Sequence, residues 1–264
     1  MAERPRRRKR LPADEGRRAL LDAGRALAHE QPAAWPLEHV RVTEVARRAG
    51  VTAGAIYHYW DSQEEFREDL LDDLFSPARY PPSAVPGLFA DLDEDGRPIE
   101  ELVRLGADVA FDALRQTPEL RLLMGMWAAD DPDVNDRIAA QYRAVGARWA
   151  TFYEEVFPTY GLEIRPPFTF AMMATLITAL GEGLVVRSSV DPEAVPDDLA
   201  ASGVDSVAGG QEPPWGLLAA AVLALLPAMS RRRGSGEDLW GLVDRLRRTG
   251  EQFERPDAGE NGAR

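Results

Sequence analysis

Between Val42 and Phe66 the chain sets small, hydroxylated and ring-bearing side chains at spacings suited to reading a nucleic-acid duplex. Thr52 is followed by Ala53, Gly54 and Ala55, then by Tyr57, His58 and Tyr59. Small residues at the start of a short helix let it enter a major groove without steric conflict. The hydroxyls and the ring N–H one turn later have the reach to touch phosphates. Catalytic chemistry finds no comparable set. There is no cysteine, which excludes disulfides and thiolate metal sites. His29, His39 and His58 are scattered without the spacing of a helical metal site, so no metal or cofactor is expected. No Gly-rich phosphate loop or nucleophile elbow occurs. His58 beside Tyr57 is a poor acid–base pair, because adjacent helical residues diverge.

Those residues need a scaffold, and its signals lie on either side. Val42, Val45, Ala46 and Ala49 repeat at the spacing of a buried helical stripe. Gly50 suits the positive φ that ends a helix. Val51 can then fill the angle to a second helix, for which the Thr52 hydroxyl is an N-cap candidate. Upstream, Arg41 stands where a cap would open the first of these helices. Thr43 is the alternative cap, and would start that helix two residues later. Ser62 with Glu65 three residues on forms a capping box for a further helix. Phe66, Leu70, Leu71, Leu74 and Phe75 are its apolar stripe. Residues 14–29 predict an earlier helix with Leu20, Ala23, Gly24 and Leu27 inward.

Val42-Thr-Glu-Val-Ala-Arg-Arg-Ala-Gly-Val-Thr-Ala-Gly-Ala-Ile-Tyr-His-Tyr-Trp, with Ser62-Gln-Glu-Glu-Phe behind it, resembles the DNA-binding domain of the TetR-like (tetracycline-repressor-type) regulators. Arg18-Ala-Leu-Leu-Asp-Ala-Gly-Arg-Ala-Leu is similar to that family's first helix, so the match covers about residues 17–75. The resemblance implies DNA contacts from Arg41, Thr43, Thr52, Ala53, Gly54, Ala55, Tyr57, His58, Tyr59 and Gln63. The family usually has Phe at Trp60, an exchange of one bulky aromatic for another. It usually has Lys at Gln63, where the Lys touches a phosphate, so one charge-assisted contact is missing here. The loop from Gln31 to Val40, with Pro32 and Pro36, is longer than usual.

At 264 residues the chain can hold two domains. Its net charge of −13 looks wrong for a DNA-binding protein until the chain is divided. Residues 1–60 hold 12 Lys and Arg against 7 Asp and Glu, and the acidic excess lies entirely beyond them. A basic head is drawn to phosphates while an acidic body is repelled. Residues 1–12 read as a disordered basic arm, either following the duplex or simply solvated. Residues 13–75 read as the helix-turn-helix domain. Residues 76–98, with Pro77, Pro81, Pro82, Pro86 and Pro98, read as a linker.

The body, 99–250, predicts helices near 99–116, 118–129, 132–157, 167–187, 214–230 and 236–250. A Pro/Gly/Asp-rich loop spans 188–213, and 251–264 is a disordered polar tail. The third of these helices carries Val134, Ile138, Tyr142, Val145, Trp149, Phe152 and Val156 as one stripe. No strand alternation is apparent. The apolar runs Phe168–Gly181 and Trp215–Met229 fall short of the ~20 residues that span a bilayer, and read as buried helices. Large adaptable side chains, among them Phe111, Met124, Trp127, Trp149, Phe152 and Met172, suit either a packed core or an effector pocket. Glu182 inside an apolar helix marks either a cavity or that helix's wet side.

The reading is an all-α chain: an N-terminal three-helix helix-turn-helix domain, then a larger helical ligand-binding and dimerisation domain. The resemblance implies a cytoplasmic homodimer joined through 167–187 and 214–230. It implies no enzymatic activity and no membrane. Its partners would be double-stranded operator DNA and a small-molecule effector that releases a repressor from it. The alternative is a helical small-molecule-binding or enzymatic protein whose head no longer binds DNA.

Overall fold

The computed structural model describes residues 13–30, 37, 39–76, 97–128, 131–199 and 215–251. The basic arm, most of the loop after the first helix, residues 77–96 of the connection, residues 200–214 and residues 252–264 of the tail lie outside them. The chain divides into two compact units, one from residues 1–83 with 113–145, the other from 84–112 with 146–264.

The first unit is built on α1 (Ala13–Glu30), α2 (Val42–Arg48), a 3₁₀ helix (Ala53–His58), α3 (Gln63–Leu74), α5 (Pro118–Trp127) and the start of α6 (Pro132–Val156). Its core takes Leu20 and Leu27 from α1, Val42, Val45 and Ala46 from α2, Ile56 from the 3₁₀ helix, and Phe66, Leu70 and Leu74 from α3. Leu122, Leu123 and Met126 of α5 and Val134 and Ile138 of α6 join the same cluster. The head's core therefore draws on helices that lie beyond the 76–98 connection in sequence. Three polar ties reinforce it. Arg25 pairs with Asp73 at 3.1 Å, Arg137 of α6 pairs with Glu68 and Asp72 of α3, and His29 Nε2 lies 3.4 Å from Glu119 Oε1.

Gly50 takes φ 72°, a left-handed conformation that costs glycine little. The chain can therefore turn sharply between α2 and the 3₁₀ helix. Val51 N donates to Ala46 O at 2.9 Å, and Val51 packs against the core as its position predicts. Ser62 caps α3 by accepting from Glu65 N at 3.0 Å, while the Glu65 carboxylate accepts from Asp61 N at 2.6 Å. Two expected caps are absent. α2 opens at Val42 after Arg41 without a side-chain cap, so Thr43 does not delay the helix. Thr52 precedes the 3₁₀ helix in extended conformation, but its hydroxyl accepts no backbone N–H there.

The second unit holds most of α4 (Ile99–Arg115), the end of α6, β1 (Leu162–Ile164), α7 (Phe170–Val190), α8 (Leu217–Met229), β2 (Ser230–Arg232) and α9 (Leu239–Glu251). An aromatic chain forms part of its interior: Trp149 stacks on Tyr153 at 5.7 Å, Phe152 lies 5.4 Å from Tyr153, and Phe157 meets Phe170 edge-on at 5.1 Å. Burial pushes the Tyr153 hydroxyl's pKa far up, so it stays protonated. β1 and β2 pair antiparallel with Glu163 opposite Arg231, a two-stranded ribbon the sequence did not announce.

Two expectations about the long helices are corrected. Tyr142 is not on the inward stripe of α6; Gln141 is buried instead. Both positions satisfy a 3–4 spacing between Ile138 and Val145, so periodicity alone cannot choose between them. The apolar run that seemed to stop near Gly181 continues as a helix to Val190, 21 residues in all. By length and composition α7 could cross a membrane, so the length argument against that reading fails. Its surface pattern is more telling. Met173, Ala174, Gly181 and Val185 are buried, while Met172, Leu176, Ala179, Gly183, Val186 and Val190 lie exposed on the opposite side. The exposed set repeats at spacings of 4, 3, 4, 3 and 4, the seam pattern of a helix that packs on another helix.

Candidate nucleic-acid interface

Ile56, fully buried, pins the 3₁₀ helix to the head. That anchor leaves Gly54, Tyr57 and His58 facing solvent, with Tyr57 53% exposed. Arg41, Val42, Thr43, Ala53, Tyr57, Gln63 and Arg67 line one surface cleft of about 400 Å³. Five of the ten residues expected at a DNA contact thus border a single concavity: Arg41, Thr43, Ala53, Tyr57 and Gln63. Thr52, Gly54, Ala55, His58 and Tyr59 lie outside its lining.

Tyr59 is turned another way. It packs against the head core, and its hydroxyl occupies the space where a side chain at Gly16 would stand. Gly16→Ala is therefore expected to push the Tyr59 ring out of its seat. A fall in melting temperature, relieved when Tyr59→Phe is added, is the expected result. A variant that melts with the parent would show that the ring yields freely.

Trp60 gains something a phenylalanine would not have. Its Nε1 donates to Asp69 Oδ2 at 2.6 Å, and Asp69 also pairs with Arg17, whose guanidinium lies 5.5 Å from the Trp60 ring centroid. One carboxylate so ties α1, the chain after the 3₁₀ helix, and α3, and holds the cleft walls in register. Beside the cleft, Arg47 holds the Glu44 carboxyl below its usual range through a hydrogen bond. Arg41 makes no ion pair among the described residues.

Arg67 was missed by the sequence reading. It sits on an acidic helix and looks like a solvated counter-charge. The available signal was its position four residues after Gln63, which puts both on one face of α3. Among the described residues no group of three or more His, Asp or Glu side chains is placed to hold a metal ion.

The residues expected at an effector pocket are dispersed. Met124 and Trp127 belong to the first unit, with Trp127 63% exposed. Phe111, Trp149, Phe152, Met172 and Glu182 belong to the second. There Phe111, Trp149 and Phe152 are buried, Glu182 is half-buried and Met172 is exposed.

A short α2, a glycine turn and a second helical segment bordering an open cleft have the layout of a helix-turn-helix DNA-binding domain. Residues 20–70 match the model of the bacterial regulatory proteins of the tetR family, so the match covers the helix-turn-helix head. No curated protein matches it. Among solved structures it is similar to E. coli NemR in its reduced form, at 17% identity and TM-score 0.51, over 67% of this chain and 89% of that one. It is also similar to a putative TetR-family transcriptional regulator from Mesorhizobium loti MAFF303099, at 14% identity and TM-score 0.52, over 69% and 87%. At these identities the likeness is one of fold. The protein has the fold and the N-terminal domain of a TetR-family transcriptional regulator, a helix-turn-helix followed by a helical C-terminal part.

Proposed function

We propose that the chain works as a homodimeric repressor in the cytoplasm, holding an approximately palindromic operator and releasing it when a small molecule occupies the helical body. The observation that carries this reading is the exposed seam on α7. Six positions at heptad-like spacing, apolar or glycine, need cover, and a second copy of the same helix meets that need by two-fold symmetry. α8, with Leu225 exposed, is the second segment of that interface. Two heads joined in this way would enter major grooves one helical turn or a multiple of it apart, about 34–36 Å per turn. An effector acts only through its differential affinity for the DNA-competent state and the released state. Within the second unit the buried Phe111, Trp149 and Phe152, with half-buried Glu182, are the side chains proposed to meet it. A seam buried between copies also removes the need for a membrane around α7.

The test is selection of duplexes from a random library by the purified protein. Inverted repeats are the expected product. Single half-sites would sink the dimeric reading, and no enrichment at all would sink DNA binding. On a selected duplex, Tyr57→Phe removes one hydroxyl that faces the cleft. Its cost should be about 1 kcal/mol or somewhat more, as for one hydrogen bond to a charged group. The loss should be equal on mismatched duplexes, because phosphate contacts carry no sequence information. Unchanged binding on every duplex would make Tyr57 a bystander.

A further inference from the structure

α3 carries six carboxylates and a single cation, Arg67. Five of the six acids are engaged elsewhere. Glu65 closes the helix cap, Glu68 and Asp72 take Arg137, Asp69 takes Arg17 and Trp60, and Asp73 takes Arg25. Glu64, three residues before Arg67, is exposed and makes no ion pair with it. Arg67 has no ion pair among the described residues, and its Nε is buried without a hydrogen-bond partner. An orphaned buried donor on a charged group is costly, and the protein alone leaves this Nε unsatisfied. It lines the same cleft as Arg41, Thr43, Tyr57 and Gln63.

We propose that Arg67 is a DNA-backbone contact: its guanidinium binds a phosphodiester that enters the cleft, supplying the charge that neutral Gln63 lacks one turn earlier. This rests on the reading of the head as DNA-binding and names a residue that the reading did not include. The chemistry fits the position. A guanidinium offers several donors in a fixed planar array that matches phosphate oxygens, and it stays charged at any working pH. Four of the surrounding acids, Glu68, Asp69, Asp72 and Asp73, are already held by basic partners from α1 and α6. Hydroxyls from Thr43 and Tyr57 and a second guanidinium from Arg41 border the same space, so the incoming oxygen would meet donors from three elements. A residue that binds phosphate fixes the register of the head on the duplex and reads no base itself.

The experiment measures equilibrium binding of the full chain across a salt series. It uses a duplex selected from a random library and a scrambled duplex of equal length. Arg67→Gln should weaken binding to both by about tenfold per dimer half, as expected for one hydrogen-bonded charge contact in each head. It should also flatten the slope of log K against log salt by about 0.9 per dimer half, the loss of one neutralised phosphate. Arg67→Lys should keep the slope with weaker binding, and adding Gln63→Lys to Arg67→Gln should bring the slope back. Far-ultraviolet circular dichroism and melting identify any variant that fails to fold, and Arg67→Lys retains the charge as a second measure. If Arg67→Gln keeps the parent's affinity and slope while Tyr57→Phe loses binding, Arg67 is no contact although the head binds DNA. If only the selected duplex is weakened, Arg67 reads bases and the phosphate assignment is wrong. If the parent enriches no duplex, the DNA-binding reading fails and this contact fails with it.

Discussion

Leu176→Asp is expected to turn the proposed dimer into a monomer and to cut affinity for a two-half-site operator by about 100-fold or more. Leu176 is 46% exposed in the protomer, at the middle of the α7 seam. The substitution therefore leaves each protomer's own core intact. In a two-fold interface it places two carboxylates in apolar surroundings without a basic partner, a cost of several kcal/mol. Each 1.4 kcal/mol is a tenfold change in the dimer's dissociation constant. The DNA effect follows because a dimer's second head binds at a high effective concentration, and a monomer loses that gain, ~10²–10⁴. The choice of residue matters. Leu218 on α8 is 5% exposed within the protomer, so an Asp there would damage the fold whether or not a partner exists. Sedimentation of Leu176→Asp with an unchanged circular dichroism spectrum separates these effects. A variant that still sediments as a dimer would move the interface off α7.

The head was legible because its elements obey local rules. A 3–4 apolar spacing, a glycine at φ 72° and a serine cap with glutamate three residues on are each written within a few residues. The cleft was half legible. Arg41, Thr43, Ala53, Tyr57 and Gln63 come from the recognisable motif, but Arg67 depends on which acids of α3 are already taken. Those partners, Arg17, Arg25 and Arg137, come from distant parts of the chain. Short-range pattern also could not show that Ile56 lies in a 3₁₀ turn, since six residues are too few to fix a period. Nor could it choose between Gln141 and Tyr142 on α6, where spacing permits both and hydrophobicity points the wrong way. The β1–β2 ribbon has three residues per strand, too short for alternation to register. What specifies it is a side chain, Arg165, whose partners lie more than 60 positions away.

Arg165→Met should therefore be a damaging change in the second unit, lowering its stability by about 1–3 kcal/mol, the cost of leaving buried acceptors without their donor. Arg165 is 4% exposed and sits directly after β1. Its Nη2 donates to Ser230 O at 2.8 Å and to Pro227 O at 3.2 Å, so it joins the end of α8 to β2. Its Nη1 donates to Glu237 Oε2 at 2.8 Å and to Glu237 O at 3.2 Å, which fastens the approach to α9. Arg231 adds a bond to Glu237 O at 3.0 Å and pairs with Glu163 across the ribbon at 2.8 Å. Methionine fills a similar volume but leaves those carbonyls without their donor, and for a unit of this size the loss should read as a fall of roughly 2–12 °C in its melting transition. Arg165→Lys should fall between, because one ammonium cannot serve both branches. The hydrogen bond from Arg165, followed by the charge of Arg245, holds the Glu237 carboxyl below its usual range. A depressed carboxylate pKa contributes stability above its unfolded value and loses it as pH falls through the folded one. The gap between parent and Arg165→Met should then be widest near neutrality and narrow as pH drops below the ordinary carboxylate range. Equal melting temperatures at pH 7, or a gap that widens in acid, would mean that the ribbon and α9 are held by apolar packing and that the guanidinium merely occupies the space.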